Sequence, residues 1–176
     1  MYKPREDSLM LAEQARKLAR GRVLDIGTGT GIQAVTAAGS SKVREVLAVD
    51  IDTEAISYCK KNVKNSKIKF SVSDLFSNVS GKFDTIIFNP PYLPQDAGIR
   101  DKALYGGKKG HEIIEKFFKQ VKKHLNEDGI ILLVFSSLTG ESKVDEIIKN
   151  AGFKSKMLEK KHFFFEDLFV YSIANI

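Results

Sequence analysis

Apolar positions recur at helical spacing through Leu9, Leu11, Ala12, Ala15 and Leu18-Ala19, with Asp7-Ser8 ahead of them as caps. An opening helix is predicted there, stopped by Gly21. Val23-Leu24-Asp25-Ile26 then reads as a short buried strand entering Gly27-Thr28-Gly29-Thr30-Gly31, with a helix from Ile32 to Ala38 behind it. Val46-Leu47-Ala48-Val49-Asp50 is nearly continuous in its apolar character, as in a parallel strand covered on both faces, and it ends in an acid. The alternation repeats with a helix over Thr53 to Asn65 and strands at Ile68 to Val72 and Phe83 to Phe88.

Asn89-Pro90-Pro91-Tyr92 ends that last strand, because the prolines lack donors and fix the local backbone. Leu93 to Gly110 is polar, holds four glycines and has no period, so it is expected to be a long loop on the substrate side. Beyond it come an amphipathic helix over His111 to Leu125, a very apolar strand over Gly129 to Phe135 and a helix over Ser142 to Asn150. Phe153 to Phe165 and Leu168 to Ile173 form a terminal hairpin about a Glu166-Asp167 turn. Strands alternating with helices predict an α/β fold, an open and mostly parallel sheet with helices on both faces, in a single domain over residues 1–176.

Composition removes several function classes. With 43% hydrophobic and 28% charged residues in a chain of 176, the protein is an ordinary globular one. The lone Cys59 excludes a disulfide framework and sits on an apolar helix face, as a core residue would. No apolar run approaches the ~20 residues of a spanning helix, and the first residues lack a signal-peptide core, so a cytoplasmic protein is expected. The formal charge of +6 is spread over short lysine groups such as Lys60-Lys61 and Lys122-Lys123, which suits a solvated surface. His111, His124 and His162 have no ligand spacing, and no metal site is expected.

Ligands of such sheets bind beyond the carboxyl ends of the strands. Three of those ends carry candidate chemistry. In Asp25-Ile26-Gly27-Thr28-Gly29-Thr30-Gly31 the glycines allow a sharp turn and close ligand approach, although their alternate spacing departs from the dinucleotide pattern. Asp50, followed by Ile51, can accept from both hydroxyls of a ribose or cap the next helix. Asp74, followed by Leu75, can take the exocyclic amine of an adenine. Together they describe a pocket for an adenosine bearing something compact.

In this order of loop and acids the sequence resembles the class I S-adenosylmethionine-dependent methyltransferases. The resemblance covers nearly the whole chain. It implies S-adenosylmethionine as cofactor and a Rossmann-like seven-stranded sheet of order 3-2-1-4-5-7-6 with strand seven antiparallel. It also gives Asn89-Pro90-Pro91-Tyr92 a chemical role. A planar amide or aromatic amine is a poor nucleophile, so its NH₂ must be held in line with the methyl donor while its hydrogens are accepted. The Asn89 side-chain oxygen and the Pro90 carbonyl can be the two acceptors, Pro91 holds Pro90 extended, and Tyr92 offers a flat face.

That tetrapeptide is shared by glutamine-directed and adenine-directed enzymes. Tyr2-Lys3-Pro4-Arg5-Glu6-Asp7-Ser8 resembles the Y-x-P-x-E-D-[ST] opening of the HemK-related glutamine methyltransferases of archaea and eukaryotes. Gly106-Gly107-Lys108-Lys109-Gly110-His111-Glu112 resembles their G-G-x-x-G-x-E segment. The resemblance implies that Tyr2, Pro4, Glu6 and Ser8 close over the cofactor and that Gly106, Gly107 and Gly110 shape the substrate side. It further implies, as acceptor, the glutamine of the Gly-Gly-Gln tip of a peptide chain release factor. A catalytic domain starting almost at residue 1 points to the archaeal and eukaryotic branch, whose members often work with a small zinc-binding activator subunit. Phe163-Phe164-Phe165 and Phe169 are a candidate surface for it, or ordinary core and edge packing. The alternatives are an adenine-directed RNA or DNA methyltransferase, which would have to read its target from loops in a chain this short, and a non-catalytic cofactor-binding scaffold.

Overall fold

The computed structural model describes residues 4–94, 106–163 and 165–176. Its elements run α1 (Glu6–Leu18), β1 (Gly21–Ile26), α2 (Ile32–Ala38), β2 (Val43–Asp50), α3 (Thr53–Asn62), β3 (Ile68–Val72) and β4 (Phe83–Phe88). They continue with α4 (Glu112–Phe118), β5 (Leu125–Ser136), α5 (Glu141–Asn150), β6 (Phe153–Phe163) and β7 (Glu166–Asn175). The seven strands form one sheet of order β3-β2-β1-β4-β5-β7-β6. β1 through β5 pair in parallel, and β7 runs antiparallel to both β5 and β6.

Successive residues of a strand point to opposite faces, so the central strands feed two cores. Leu24, Ile26, Ile86, Phe88, Ile131, Leu133 and Phe135 face a core closed by Ile114, Phe117 and Phe118 of α4 and by Val144, Ile147 and Ile148 of α5. Val23, Ile87, Leu132 and Val134 face the other, closed by Met10, Leu11 and Ala15 of α1 and by Ala34, Ala37 and Ala38 of α2. This is why those strands read as apolar runs rather than as an alternation. α1 carries Glu6 and Asp7 in its first turn and Arg16 and Lys17 in its last, in register with the helix dipole. Its amino end lies at the carboxyl edge of the sheet, where Asp7 meets Asn89 just beyond β4.

Several boundaries differ from those the sequence predicts: β1, β2 and β5 begin earlier, and Asp7 and Ser8, expected as caps, lie inside α1, whose N-cap is Arg5. The helix expected to reach Leu125 stops at Phe118. After a short 3₁₀ turn at Val121–Lys123, His124 O accepts from Phe83 N at 2.8 Å and Leu125 pairs with Phe83, so sheet pairing takes residues that the apolar period assigned to the helix. The helix from Thr53 ends at Asn62 rather than Asn65, because Val63 turns extended as it caps Cys59 O. Glu166 and Asp167 belong to β7, cross-strand from Phe163 and His162, and do not form the turn. Their alternation with Leu168 continues the ladder, and Asp167 takes Lys160 and His162 as partners at 3.0 and 2.8 Å.

Among the described residues no helix is long and apolar enough to cross a membrane. Nor do any of them form a cluster of histidine, cysteine and carboxylate side chains able to hold a metal.

Candidate active site

A cleft of about 840 Å³ opens at the carboxyl edge of the strands. Its floor is the end of β1. Gly27, Gly29 and Gly31 all have positive φ, which a side chain would strain, and Gly31 leads into α2. The loop is pinned to the neighbouring strand, since Thr28 N donates to Val49 O at 3.0 Å and Gly29 N to Asp50 Oδ2 at 2.8 Å. Cys59 Sγ lies 3.3 Å from Gly29 O and so ties α3 to the same loop.

Asp50 binds the loop with one oxygen and Asp52 N with the other, at 2.9 Å. The cap of α3 is Asp52, which accepts from Glu54 N at 2.8 Å, so of the two readings of Asp50 the helix-capping one goes to its neighbour. Ile51 is 66% exposed and lines the cleft, where a flat apolar ligand would cover it. Asp74 and Leu75 line the same end of the cleft, Leu75 with a φ of 47°.

Asp25 lies beneath the cleft rather than on its wall. It is 1% exposed, and burial pushes its carboxyl up to about 7, against the opposing hydrogen bonds from Thr28 Oγ1 at 2.6 Å and Ala34 N at 3.1 Å. Both of those bonds go to Oδ2. Asp25 Oδ1 and Gln33 Oε1 are buried acceptors with no hydrogen-bond partner among the described residues. Of the two, Gln33 lines the cleft, where an unmet acceptor suits a ligand that brings a cationic amine.

The opposite end of the cleft is built on Asn89-Pro90-Pro91-Tyr92. Asn89 Nδ2 donates to Asp7 Oδ2 at 3.3 Å and to Ser8 Oγ at 3.2 Å, while Tyr92 OH donates to Asp7 Oδ2 at 2.9 Å. A carboxylate can only accept, so the amide nitrogen must face Asp7, which leaves Asn89 Oδ1 as the acceptor offered to the cleft. The segment is braced from behind, where Thr139 Oγ1 donates to Tyr92 O at 2.7 Å and Gly106 N to Leu93 O at 3.0 Å.

Of the residues singled out from sequence, Pro4, Glu6, Ser8, Gly27, Thr28, Gly29, Asp50, Ile51, Asp74, Leu75, Asn89, Pro90, Pro91, Tyr92 and Gly107 line this one cleft. Gly31, Gly106 and Gly110 do not. Gly31 packs beneath the loop near Cys59. A side chain at Gly106 would overlap Pro91 O and Gly110 O, and one at Gly110 would come within 2.7 Å of Tyr92 O. Those two glycines therefore support the tetrapeptide rather than facing a ligand. Tyr2 lies outside the described residues, as do Phe164 and residues 95–105 of the expected substrate loop.

Sequence reasoning passed over Asp7, Gln33, Phe163, Glu166 and Lys116 as cleft residues. Asp7 lies within the Tyr2-to-Ser8 segment, and what marks it, its 3% exposure, is a property of the fold and not of the sequence. Phe163 and Glu166 reach the cleft only because β6 and β7 meet at the same sheet edge, with Glu166 fixed by a short hydrogen bond from Ser136 Oγ. The proposed aromatic edge also divides. Phe169 is 1% exposed and belongs to the core, Phe163 faces the cleft, and Phe165 is 89% exposed at the turn.

Residues 6–165 match the family model described as the methyltransferase small domain. A Methanocaldococcus jannaschii protein with the provisional name of protein N5-glutamine methyltransferase is 38% identical over 97% of this chain and 89% of its own length. The release factor glutamine methyltransferase of Deinococcus radiodurans is 31% identical over 82% of this chain, which spans 56% of that longer protein. In fold, the chain matches a structure solved as the E. cuniculi Mtq2-Trm112 complex at a TM-score of 0.78, with 22% identity over 99% of this chain and 98% of the other. With its sheet order, its glycine loop and this match over nearly its whole length, the chain belongs to the methyltransferase small domain family.

Proposed function

We propose that this enzyme transfers the methyl group of S-adenosylmethionine to the side-chain amide nitrogen of a glutamine, in the Gly-Gly-Gln segment of a peptide chain release factor. The carrying observation is the orientation of Asn89, whose nitrogen is occupied by Asp7 and whose oxygen is thereby left to accept. Support for the acceptor comes from the names of the Methanocaldococcus and Deinococcus relatives.

The residues at the nucleoside end fit the cofactor. Asp50 and Asp74 suit a ribose and an adenine, Ile51 and Leu75 suit the adenine faces, and Gln33, which lines the cleft, brings an unmet acceptor suited to an ammonium. When bound, S-adenosylmethionine supplies an electrophilic methyl on a sulfonium. At the other end Asn89 Oδ1 and the Pro90 carbonyl each accept one hydrogen of the substrate NH₂, holding its nitrogen toward the donor. With the methyl donor bound, positive charge would develop on that nitrogen as it takes the methyl. The two oxygens stabilise it until one proton leaves to solvent. The Tyr92 ring, fixed through its hydroxyl, walls the acceptor position.

A partner subunit is part of the proposal, since the eukaryotic neighbour in fold was solved as a complex with Trm112. The test incubates the protein, alone and with a candidate partner, with labelled S-adenosylmethionine and either a release factor or its Gly-Gly-Gln→Gly-Gly-Ala variant, with RNA and DNA in parallel. Label confined to the intact release factor is expected. Label on nucleic acid alone would transfer the activity to adenine.

A further inference from the structure

We infer that Asp7 is the positioning residue of this active site: its buried carboxylate sets the Asn89 amide and the Tyr92 ring as one unit, an inference that rests on the glutamine reading above. The two carboxylate oxygens divide their work. Oδ1 stays within the first turn of α1, accepting from Ser8 N at 2.6 Å and from Ser8 Oγ at 3.2 Å. Oδ2 reaches across to the end of β4 and accepts from Asn89 Nδ2 and Tyr92 OH.

Two features make this more than a helix-end contact. First, an asparagine side chain has two orientations of similar shape and opposite hydrogen-bonding sense. Turned over, it would offer hydrogens where the substrate amide also offers them. A group that accepts only, 3% exposed to solvent, removes that choice. Second, Asn89 and Tyr92 are three residues apart across two prolines, and both donate to the same Asp7 oxygen. One oxygen makes their positions interdependent. Ser8 completes the arrangement, because its hydroxyl is the second acceptor for Asn89 Nδ2, and its carbonyl accepts from Gln33 Nε2 at 2.9 Å. The start of α1 is thus fastened to both ends of the cleft.

The test has two arms. In the free protein the Asn89 side-chain NH₂ pair is identified in ¹⁵N spectra by its loss in Asn89→Ala, and it is expected to shift in Asp7→Ala. In single-turnover methyl transfer at saturating cofactor, Asp7→Ala is expected to lower the rate by about 10²-fold, a larger effect than any it has on the cofactor dissociation constant. Its loss should shrink in the Asn89→Ala background to the part that the Tyr92 ring carries, since the amide it also positions is then gone. If Asp7→Ala does not fold, Asp7→Asn takes its place in both arms. An unmoved Asn89 resonance, or a full additional loss in the double variant, would overturn the inference. A wild-type enzyme that labels no release factor overturns the glutamine reading instead, and the spectra then decide the role of Asp7.

Discussion

The hydroxyl of Thr139, beyond the end of β5, donates to the backbone carbonyl of Tyr92 at 2.7 Å, so the acceptor wall of the cleft is held by a side chain that never faces it. Thr139 is 3% exposed. Replacing it with valine keeps the volume and removes that hydrogen bond, at a cost of about 0.5–1.5 kcal/mol. Thr139→Val is expected to lower kcat/KM for the protein acceptor while cofactor affinity, measured by calorimetry, is unchanged. Equal loss of both would mean that the contact supports the whole fold and not one end of the site.

Gly106 braces the same wall from the other side. A Cβ there would meet Pro91 O and Gly110 O, both backbone atoms that cannot swing away. Gly106→Ala is expected to lower the melting temperature by an amount corresponding to about 1–3 kcal/mol and to reduce methyl transfer more than cofactor binding. An alanine variant with wild-type stability and rate would show that this segment is not packed on the tetrapeptide.

The buried Asp25 makes the stability of the free protein depend on pH. Its carboxyl is raised by burial to about 7, above the ordinary value of 3.8, so the folded state holds its proton where the unfolded state has lost it. Unfolding free energy therefore falls as pH rises between about 4 and about 7, and this contribution levels off above that. At roughly 1.4 kcal/mol per unit the effect amounts to a few kcal/mol. Urea titrations of the wild type and of Asp25→Asn across this range should show the slope in the first and a flatter profile in the second. Equal slopes would assign the pH dependence elsewhere.

Much of this was legible in the chain because the relevant signals are local. The glycine loop, the acids closing β2 and β3, and the prolines ending β4 each fall where a strand stops, and the strands announce themselves by burial on both faces. The sheet order came from the family resemblance and agrees with the structure. What the sequence concealed depends on contacts between distant segments. Leu125 joins the sheet only through Phe83, Asp7 meets Asn89 across 82 positions, and Phe163 and Glu166 reach the cleft because the last hairpin ends beside Tyr92. Asp25 shows the same limit from the opposite side. Its position marks the loop, but its burial beneath the cleft follows from α2 folding over it through Ala34.

The most direct measurement of the central claim is the rate of methyl transfer by Asn89→Ala, set against its affinity for S-adenosylmethionine. The account predicts that transfer to the release-factor glutamine falls by about 10²–10³-fold while cofactor binding largely survives, because the lost oxygen acts on the acceptor nitrogen alone. Transfer at the wild-type rate would contradict it.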